Sequence, residues 1–249
     1  MIVRHERDDY VDPGRWPGSL VLSDGAALPL LTGAAQYTTY PIVAACMGVV
    51  GILAFRGEHR HGTLVSTLVP PPRRDVLVAA ACVVVGAWSS AVALVSIALN
   101  WIVGLLLLDG PLEITGEVAV GLLYYVWNAV LWALLGVGLG ILGRSVLRAL
   151  GVWWIIEFVQ SVIESAAMRL LMGDAGVIFY YLPRWSSSFM LHVGEYRLVD
   201  VYGPIPSKLV ASLVCTAWVT LLLVVAMNTF SRRDASARSV TTTTVAPTG

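Results

Sequence analysis

The chain has 249 residues, of which 57% are hydrophobic and 13% charged, and its formal net charge is zero. A soluble domain carries about 25% charged residues, so this composition and a mean hydropathy of +0.76 exclude an ordinary soluble globular protein. They indicate an integral membrane protein. The zero net charge and the short basic clusters also argue against a nucleic-acid partner.

Five segments are long and apolar enough to cross a membrane. Residues 25–55, 76–108, 118–143 and 209–231 contain no Asp, Glu, Lys or Arg, and residues 149–168 are interrupted only by Glu157 and Glu164. A helix needs about 20 mostly apolar residues to cross the hydrocarbon core, and none of the segments shows the alternation of a strand. The predicted fold is therefore all-α, a polytopic transmembrane helical bundle. Its five spans are placed near residues 37–56, 78–107, 119–143, 150–170 and 207–230.

The two ends of the chain fall outside this transmembrane domain, residues 37–230. Residues 1–36 are predicted to be extracytoplasmic, and they lack the positive-then-apolar pattern of a signal peptide. Two interpretations are open for them: residues 19–36 form a partial sixth segment in the membrane, or the true start lies upstream and includes another helix. Residues 231–249 have few bulky apolar side chains, which predicts a disordered cytoplasmic tail.

The distribution of basic residues predicts the orientation. If the loop 56–75 is inside, the cytoplasmic segments hold nine Lys and Arg in 44 residues, against seven in 85 outside. Cytoplasmic loops carry the excess of positive charge. We therefore predict an amino terminus outside and a carboxyl terminus in the cytoplasm. Arginine outnumbers lysine fifteen to one, which is typical of a GC-rich bacterial genome and favours a bacterial plasma membrane.

Motifs for covalent chemistry are absent from the sequence. The chain contains no phosphate-binding loop, no H-E-x-x-H helix and no G-x-S-x-G elbow. An intramembrane enzyme with Glu157 and Glu164 as paired carboxylates is disfavoured, because seven residues separate them by about 10.5 Å along a helix. Cys46, Cys82 and Cys215 fall inside apolar spans, where free cysteine behaves as a small hydrophobe. We expect no catalytic residue, metal or cofactor in this chain.

A charged loop separates the first two predicted spans. Its residues 58–69 are predicted to form a short amphipathic helix, which the prolines from Pro70 onward must end. Without further information, an interfacial helix with a cluster of cytoplasmic positive charge accounts for this loop.

The same loop, residues 57–74, resembles the E-[YH]-R-x-G-T-[LI] … P-[RS]-R signature of permease subunits of ATP-binding cassette transporters of the type-2 export class. The matching residues are Glu58, His59, Arg60, His61, Gly62, Thr63, Leu64, Arg73 and Arg74. The resemblance implies a cytoplasmic coupling helix that docks in a groove of a separate ATPase subunit, which binds ATP and Mg. It also implies two ATPase copies and a second permease subunit, in a homodimer or a heterodimer.

Later parts of the chain are similar to the same family, and the resemblance extends from about Gln36 to Phe230. Glu157 resembles the glutamate of the family's glutamate-bearing helix, and Tyr181-Leu182-Pro183 resembles the segment that follows it. The aromatic stretch 173–205 is similar to the short re-entrant helices that precede the family's last span. Family permeases usually have six spans, so the resemblance implies that this chain begins just after the first.

Polar residues inside the predicted spans are candidates for a transport pathway. Glu157, Gln160 and Glu164 fall at i, i+3 and i+7 and share one helix face. An ionisable group at membrane depth is costly, so a cavity or an interhelical pairing is the default hypothesis. Two interpretations stay open. This face lines the pathway, or Glu157 is protonated or pairs with Asn128 or a nearby arginine as part of helix packing.

The third predicted span carries two further patterns. Gly136 and Gly140 have the G-x-x-x-G spacing that lets helix backbones approach closely, which predicts a packing surface. We expect contact within the subunit, and a dimer interface is the alternative. Trp127 and Trp132, on either side of Asn128, are typical of an aromatic belt in the outer half of the span.

The sequence thus predicts the membrane-spanning permease subunit of an ATP-driven exporter, surrounded by membrane lipid, which performs no covalent chemistry itself. The alternative is a non-transporting membrane scaffold or assembly subunit, in which the loop 57–74 is an ordinary interfacial helix. An apolar, aromatic-edged cavity suits amphipathic drugs, lipids or peptides, and no residue pattern chooses among them.

Overall fold

A computed structural model of the chain describes residues 42–61, 74–107, 116–143, 145–156, 162, 180–191 and 206–243. Helices dominate these ranges, and no strand occurs within them, so the all-α prediction is confirmed for this part of the chain. The helices are α1 (Ile42–His61), α2 (Arg74–Leu107), α3 (Gly116–Leu142), α4 (Val146–Trp154), α5 (Pro183–Met190) and α6 (Lys208–Thr243).

Three of these helices are long and apolar enough to cross a membrane. The segments are Val76–Leu106 in α2, Val118–Leu142 in α3 and Lys208–Phe230 in α6, with 31, 25 and 23 residues. Each exceeds the length of about 20 residues that a hydrocarbon core requires. They correspond to the predicted spans 78–107, 119–143 and 207–230. Their length and composition are compatible with a transmembrane protein.

The other two predicted spans are described only in part. Among the described residues of α1, the apolar stretch is Cys46–Phe55. The helix α4 begins before the predicted span 150–170, because Ser145 caps it: the Ser145 hydroxyl accepts the backbone N–H of Arg148 at 3.3 Å. The remainder of this span beyond residue 156, apart from residue 162, lies outside the described residues.

Two helices extend beyond their predicted ends. No proline interrupts residues 42–61, so α1 continues through residues 58–61, and these residues complete α1 rather than begin a separate helix over residues 58–69. No proline or glycine interrupts α6, which runs to Thr243 where a disordered tail from residue 231 is predicted. The predicted amino-terminal segment, residues 1–36, lies outside the described residues. So do residues 62–73, 192–205 and 244–249.

The helix α3 lies at the centre of the bundle and packs against α1, α2, α4, α5 and α6. In the most apolar 18-residue stretch of α3, 50% is buried, whereas the buried share of the corresponding stretch is 28% in α2 and 22% in α6. Those two helices instead present rows of exposed apolar side chains such as Val83, Leu99 and Leu221. In a membrane, lipid covers such faces without cost, so α2 and α6 form the periphery.

The contact between α1 and α3 is made by glycines. A Cβ atom on Gly136 would collide with the carbonyl oxygen of Gly48, and one on Gly51 would collide with that of Ala133. A Cβ on Gly140 would lie 3.2 Å from the carbonyl oxygen of Ile52. We call Gly48, Gly51, Gly136 and Gly140 the glycine seam. Through it, the two glycines predicted to pack helices face α1 of the same chain.

Candidate functional site

The segment 180–191 is short, yet it packs into the bundle. It begins with a turn at Tyr180 and Tyr181, and α5 follows, with Pro183 in its first turn. Proline suits this position because its fixed φ angle is helical and its missing N–H has no helical partner there. Ser186, Ser187, Phe189 and Met190 of α5 are all buried.

This segment contacts two candidate spans near their midpoints. Asn128 and Trp132, which bond to α5, flank the middle of Val118–Leu142. With a rise of 1.5 Å per residue, Asn128 lies about 15 Å from one end of this span and about 21 Å from the other. On the other side, Nε1 of Trp218, next to the middle of the α6 span, donates to the carbonyl oxygen of Tyr181 at 2.9 Å.

Three buried side chains form a hydrogen-bonded cluster, which we call the polar joint: Asn128, Trp132 and Ser187. Trp132 Nε1 donates to Ser187 Oγ at 2.9 Å, and Ser187 Oγ donates to Asn128 Oδ1 at 2.8 Å. The exposed fraction is 0% for Asn128 and Ser187 and 1% for Trp132. Because both partners of Ser187 belong to α3, this one hydroxyl fastens α5 to α3.

The polar joint is incompletely satisfied. Ser187 donates its only hydroxyl hydrogen to Asn128 Oδ1 and accepts from Trp132, which leaves Asn128 Nδ2 to find its own acceptor. Among the described residues, Asn128 Nδ2 has none. A buried donor without a partner costs about 1–3 kcal/mol. Asn128 Nδ2 can therefore donate a hydrogen bond to a further acceptor.

Aromatic side chains pack against Trp132 of the polar joint and against one another within the segment 180–191. The rings of Trp132 and Trp153 meet edge to face with centroids 4.9 Å apart. Within the segment, Phe189 packs against Tyr180 at 5.0 Å and against Trp185 at 5.7 Å. Edge-to-face pairs add about 0.5–1.5 kcal/mol each beyond their buried area. Ring contacts thus accompany the hydrogen bonds on the α3 side and within the segment that bears Ser187.

Ser186 differs from its neighbour Ser187 in what it binds. Its exposed fraction is also 0%, but its hydroxyl donates to the carbonyl oxygen of Tyr180 at 3.0 Å. This bond lies within the segment 180–191. Two adjacent serines of equal burial therefore have different roles: Ser186 folds the segment on itself, and Ser187 attaches it to α3.

The structure places only some of the predicted site residues. Glu157, Gln160 and Glu164 lie outside the described residues, and Asn128 accepts its hydrogen bond from Ser187. Some of the predicted ATPase-coupling residues are described, and others are not. In the helical backbone lie Glu58, His59, Arg60 and His61 at the end of α1, and Arg74 at the start of α2, whereas Gly62, Thr63, Leu64 and Arg73 lie outside the described residues.

The sequence does not predict the polar joint. Trp132 was predicted to belong to an aromatic belt with Trp127, but it is buried in the bundle, whereas 41% of Trp127 is exposed. Helical periodicity explains the difference, because five residues turn the two side chains toward different neighbours. An available signal was the single Asn128 in an otherwise apolar stretch, since a polar group at that depth needs a partner.

The described residues offer little to a metal ion. No group of three or more His, Cys, Asp or Glu side chains comes together among them. The thiols of Cys46, Cys82 and Cys215 are free.

No family model matches the chain, and neither a curated protein nor a solved structure matches it.

Proposed function

We propose that the chain is the membrane-spanning permease subunit of an ATP-driven exporter. In this proposal it forms the translocation pathway and couples to a separate ATPase subunit through the loop 57–74. The observation that carries the proposal is the order of residues that runs from Glu58 in the last turn of α1 through Leu64 to Arg73 and to Arg74 at the start of α2. Two ATPase copies, which bind ATP and Mg, and a second permease subunit complete the assembly.

The packing around α1 supports a coupling role for this loop. The signature begins in the last turn of α1 and ends at the first residue of α2, so both helices would feel a displacement of the loop. Because the glycine seam joins α1 to α3 backbone to backbone, a movement of α1 is passed to α3. The helix α3 in turn holds the polar joint. A continuous path of packed helices thus leads from the signature to the centre of the bundle.

The orientation is part of the proposal. We place the loop 57–74 and the carboxyl terminus in the cytoplasm of a bacterial plasma membrane and the amino terminus outside, because this choice puts the excess of arginine inside. A cysteine introduced at Arg60 should then react with a membrane-impermeant maleimide in inverted vesicles and resist it in intact cells. Reaction from the outer side would remove the coupling role.

Co-purification from the native host tests the proposal. A tagged chain, extracted in mild detergent, is expected to bring down a polypeptide with a phosphate-binding loop in a near-stoichiometric amount. The charge reversal Arg60→Glu in the loop is expected to lower this recovery at least tenfold, because a reversed charge at a docking surface opposes the partner. The matched variant Arg233→Glu, beyond the last span, should recover the ATPase as the parent does.

The same experiment decides against the scaffold alternative. A non-transporting scaffold uses the loop 57–74 as an interfacial helix only, so no ATPase would depend on it. If the parent recovers no ATPase, or if Arg60→Glu and Arg233→Glu recover it equally, the permease proposal fails.

A further inference from the structure

Hydrogen bonds attach the segment 180–191 to α3 on one side and to α6 on the other. On the α3 side, the hydroxyl of Ser187 bonds to Asn128 and Trp132. On the α6 side, Trp218 donates to a backbone oxygen of the segment. The N-cap residue of α5, Leu182, makes no side-chain hydrogen bond. Ser187 therefore supplies two hydrogen bonds between α5 and the central helix.

The polar joint and the glycine seam differ in what can replace their contacts when they open. Interhelical side-chain hydrogen bonds in membranes contribute about 0.6 kcal/mol on average. When the joint opens, an entering water molecule can pair with Asn128 Nδ2, which has no acceptor among the described residues while the joint is closed. Opening the seam offers no such compensation, because it only removes close van der Waals contacts between backbones.

We propose that Ser187 is a positioning residue for transport, acting through Asn128 and Trp132. Its hydroxyl holds the segment 180–191 at mid-depth in the resting state. Each transport cycle opens the polar joint and admits water to it, while the glycine seam stays closed. The inference rests on the proposed permease function, and it assigns the moving contact to the α3–α5 interface rather than to α1–α3.

The first test uses the full chain without an ATPase. In a background with Cys46, Cys82 and Cys215 replaced by alanine, a cysteine at the fully buried Met190 reports the opening of the segment through its rate of maleimide labelling. Ser187→Ala should raise this rate about five- to tenfold, because it removes both hydrogen bonds to α3. Ser186→Ala should change it by less than about twofold, because the bond it removes lies within the segment.

The pair of serine variants makes this outcome decisive. Equal rates for Ser187→Ala and Ser186→Ala, or no effect of Ser187→Ala, would overturn the inference. If the Met190→Cys chain does not fold, Leu191→Cys, which is 4% exposed and adjacent, serves as the reporter with the same expectations.

The second test adds the co-purifying ATPase and ATP. During turnover, the cysteine at position 190 should be labelled faster, and a cysteine at Ala133, fully buried beside the glycine seam, should stay protected. Active hydrolysis with position 190 still protected contradicts the inference and leaves the permease function intact. An ATPase that the chain neither binds nor stimulates contradicts the permease function, and the comparison of the serine variants still reports on the joint.

Discussion

The central helix α3 makes two contacts of opposite chemistry. Toward α1 it presents glycines, and the two backbones approach so closely that a Cβ atom on Gly136 or Gly51 would collide with a carbonyl oxygen. Toward α5 it presents Asn128 and Trp132, which hold one serine by hydrogen bonds. Inside a membrane, lipid solvates apolar side chains as well as a protein does, so close packing and polar bonds decide which helices stay together.

The difference teaches which contact can change. The glycine seam has a single good arrangement, because a shift of either helix brings carbonyl oxygens against Cα atoms or opens a void. The polar joint differs, since hydroxyl and amide groups can exchange a protein partner for water when water reaches them. A bundle that must move therefore gains from having both kinds of contact on one helix.

The largest expected effect is at the glycine seam. Gly136→Ala should lower the free energy of unfolding by about 2–3 kcal/mol, because the new methyl group meets the backbone of Gly48, which cannot turn away. Gly151→Ala is the matched control: no atom lies within 4 Å of its Cβ position, and alanine favours the helix. Denaturation in mixed detergent micelles measures both. Equal stabilities of the two variants would contradict the close α1–α3 contact.

A smaller effect is expected at the polar joint. Trp132→Phe should lower the free energy of unfolding by about 1–2 kcal/mol, since it removes the donor to Ser187 and part of the ring that meets Trp153. Trp127→Phe, on the same helix but 41% exposed, should change it by less than about 0.5 kcal/mol. The same denaturation assay compares them. A larger loss of unfolding free energy for Trp127→Phe than for Trp132→Phe would contradict the burial of Trp132 in the bundle.

The smallest effect is the coupling between Asn128 and Ser187. A double-mutant cycle with Asn128→Ala and Ser187→Ala should give an interaction energy of about 0.6–1.7 kcal/mol, the range for hydrogen bonds between membrane helices. The same cycle with Ser186→Ala in place of Ser187→Ala should give a value near zero, because Ser186 binds Tyr180. Additivity in both cycles would show that the joint does not hold α5 to α3.

The glycine seam is easier to predict from the sequence than the polar joint. Length and apolar composition are enough to predict α2, α3 and α6, and the spacing of Gly136 and Gly140 is enough to predict a packing face. Which helix covers that face is not local information. Gly48 and Gly51 lie more than 80 residues earlier, and their own spacing points to no particular partner.

The polar joint is harder to predict because its residues are far apart in the chain. Ser187 and Asn128 are separated by 59 positions, and the resemblance that predicts short re-entrant helices over residues 173–205 does not say which side chains they contact. The polarity of Asn128 demands a partner, but Glu157 on a neighbouring predicted span is as good a candidate from the sequence as Ser187. Only the packing of α5 beside the middle of α3 selects the serine.

The most direct measurement of the permease assignment is ATP hydrolysis by the co-purifying ATPase in lipid nanodiscs. The parent chain and Arg233→Glu should both stimulate hydrolysis severalfold, and Arg60→Glu should abolish the stimulation, because in the proposed assembly the loop 57–74 docks on the ATPase. Hydrolysis that is indifferent to the chain, or stimulation that survives Arg60→Glu undiminished, would contradict the assignment.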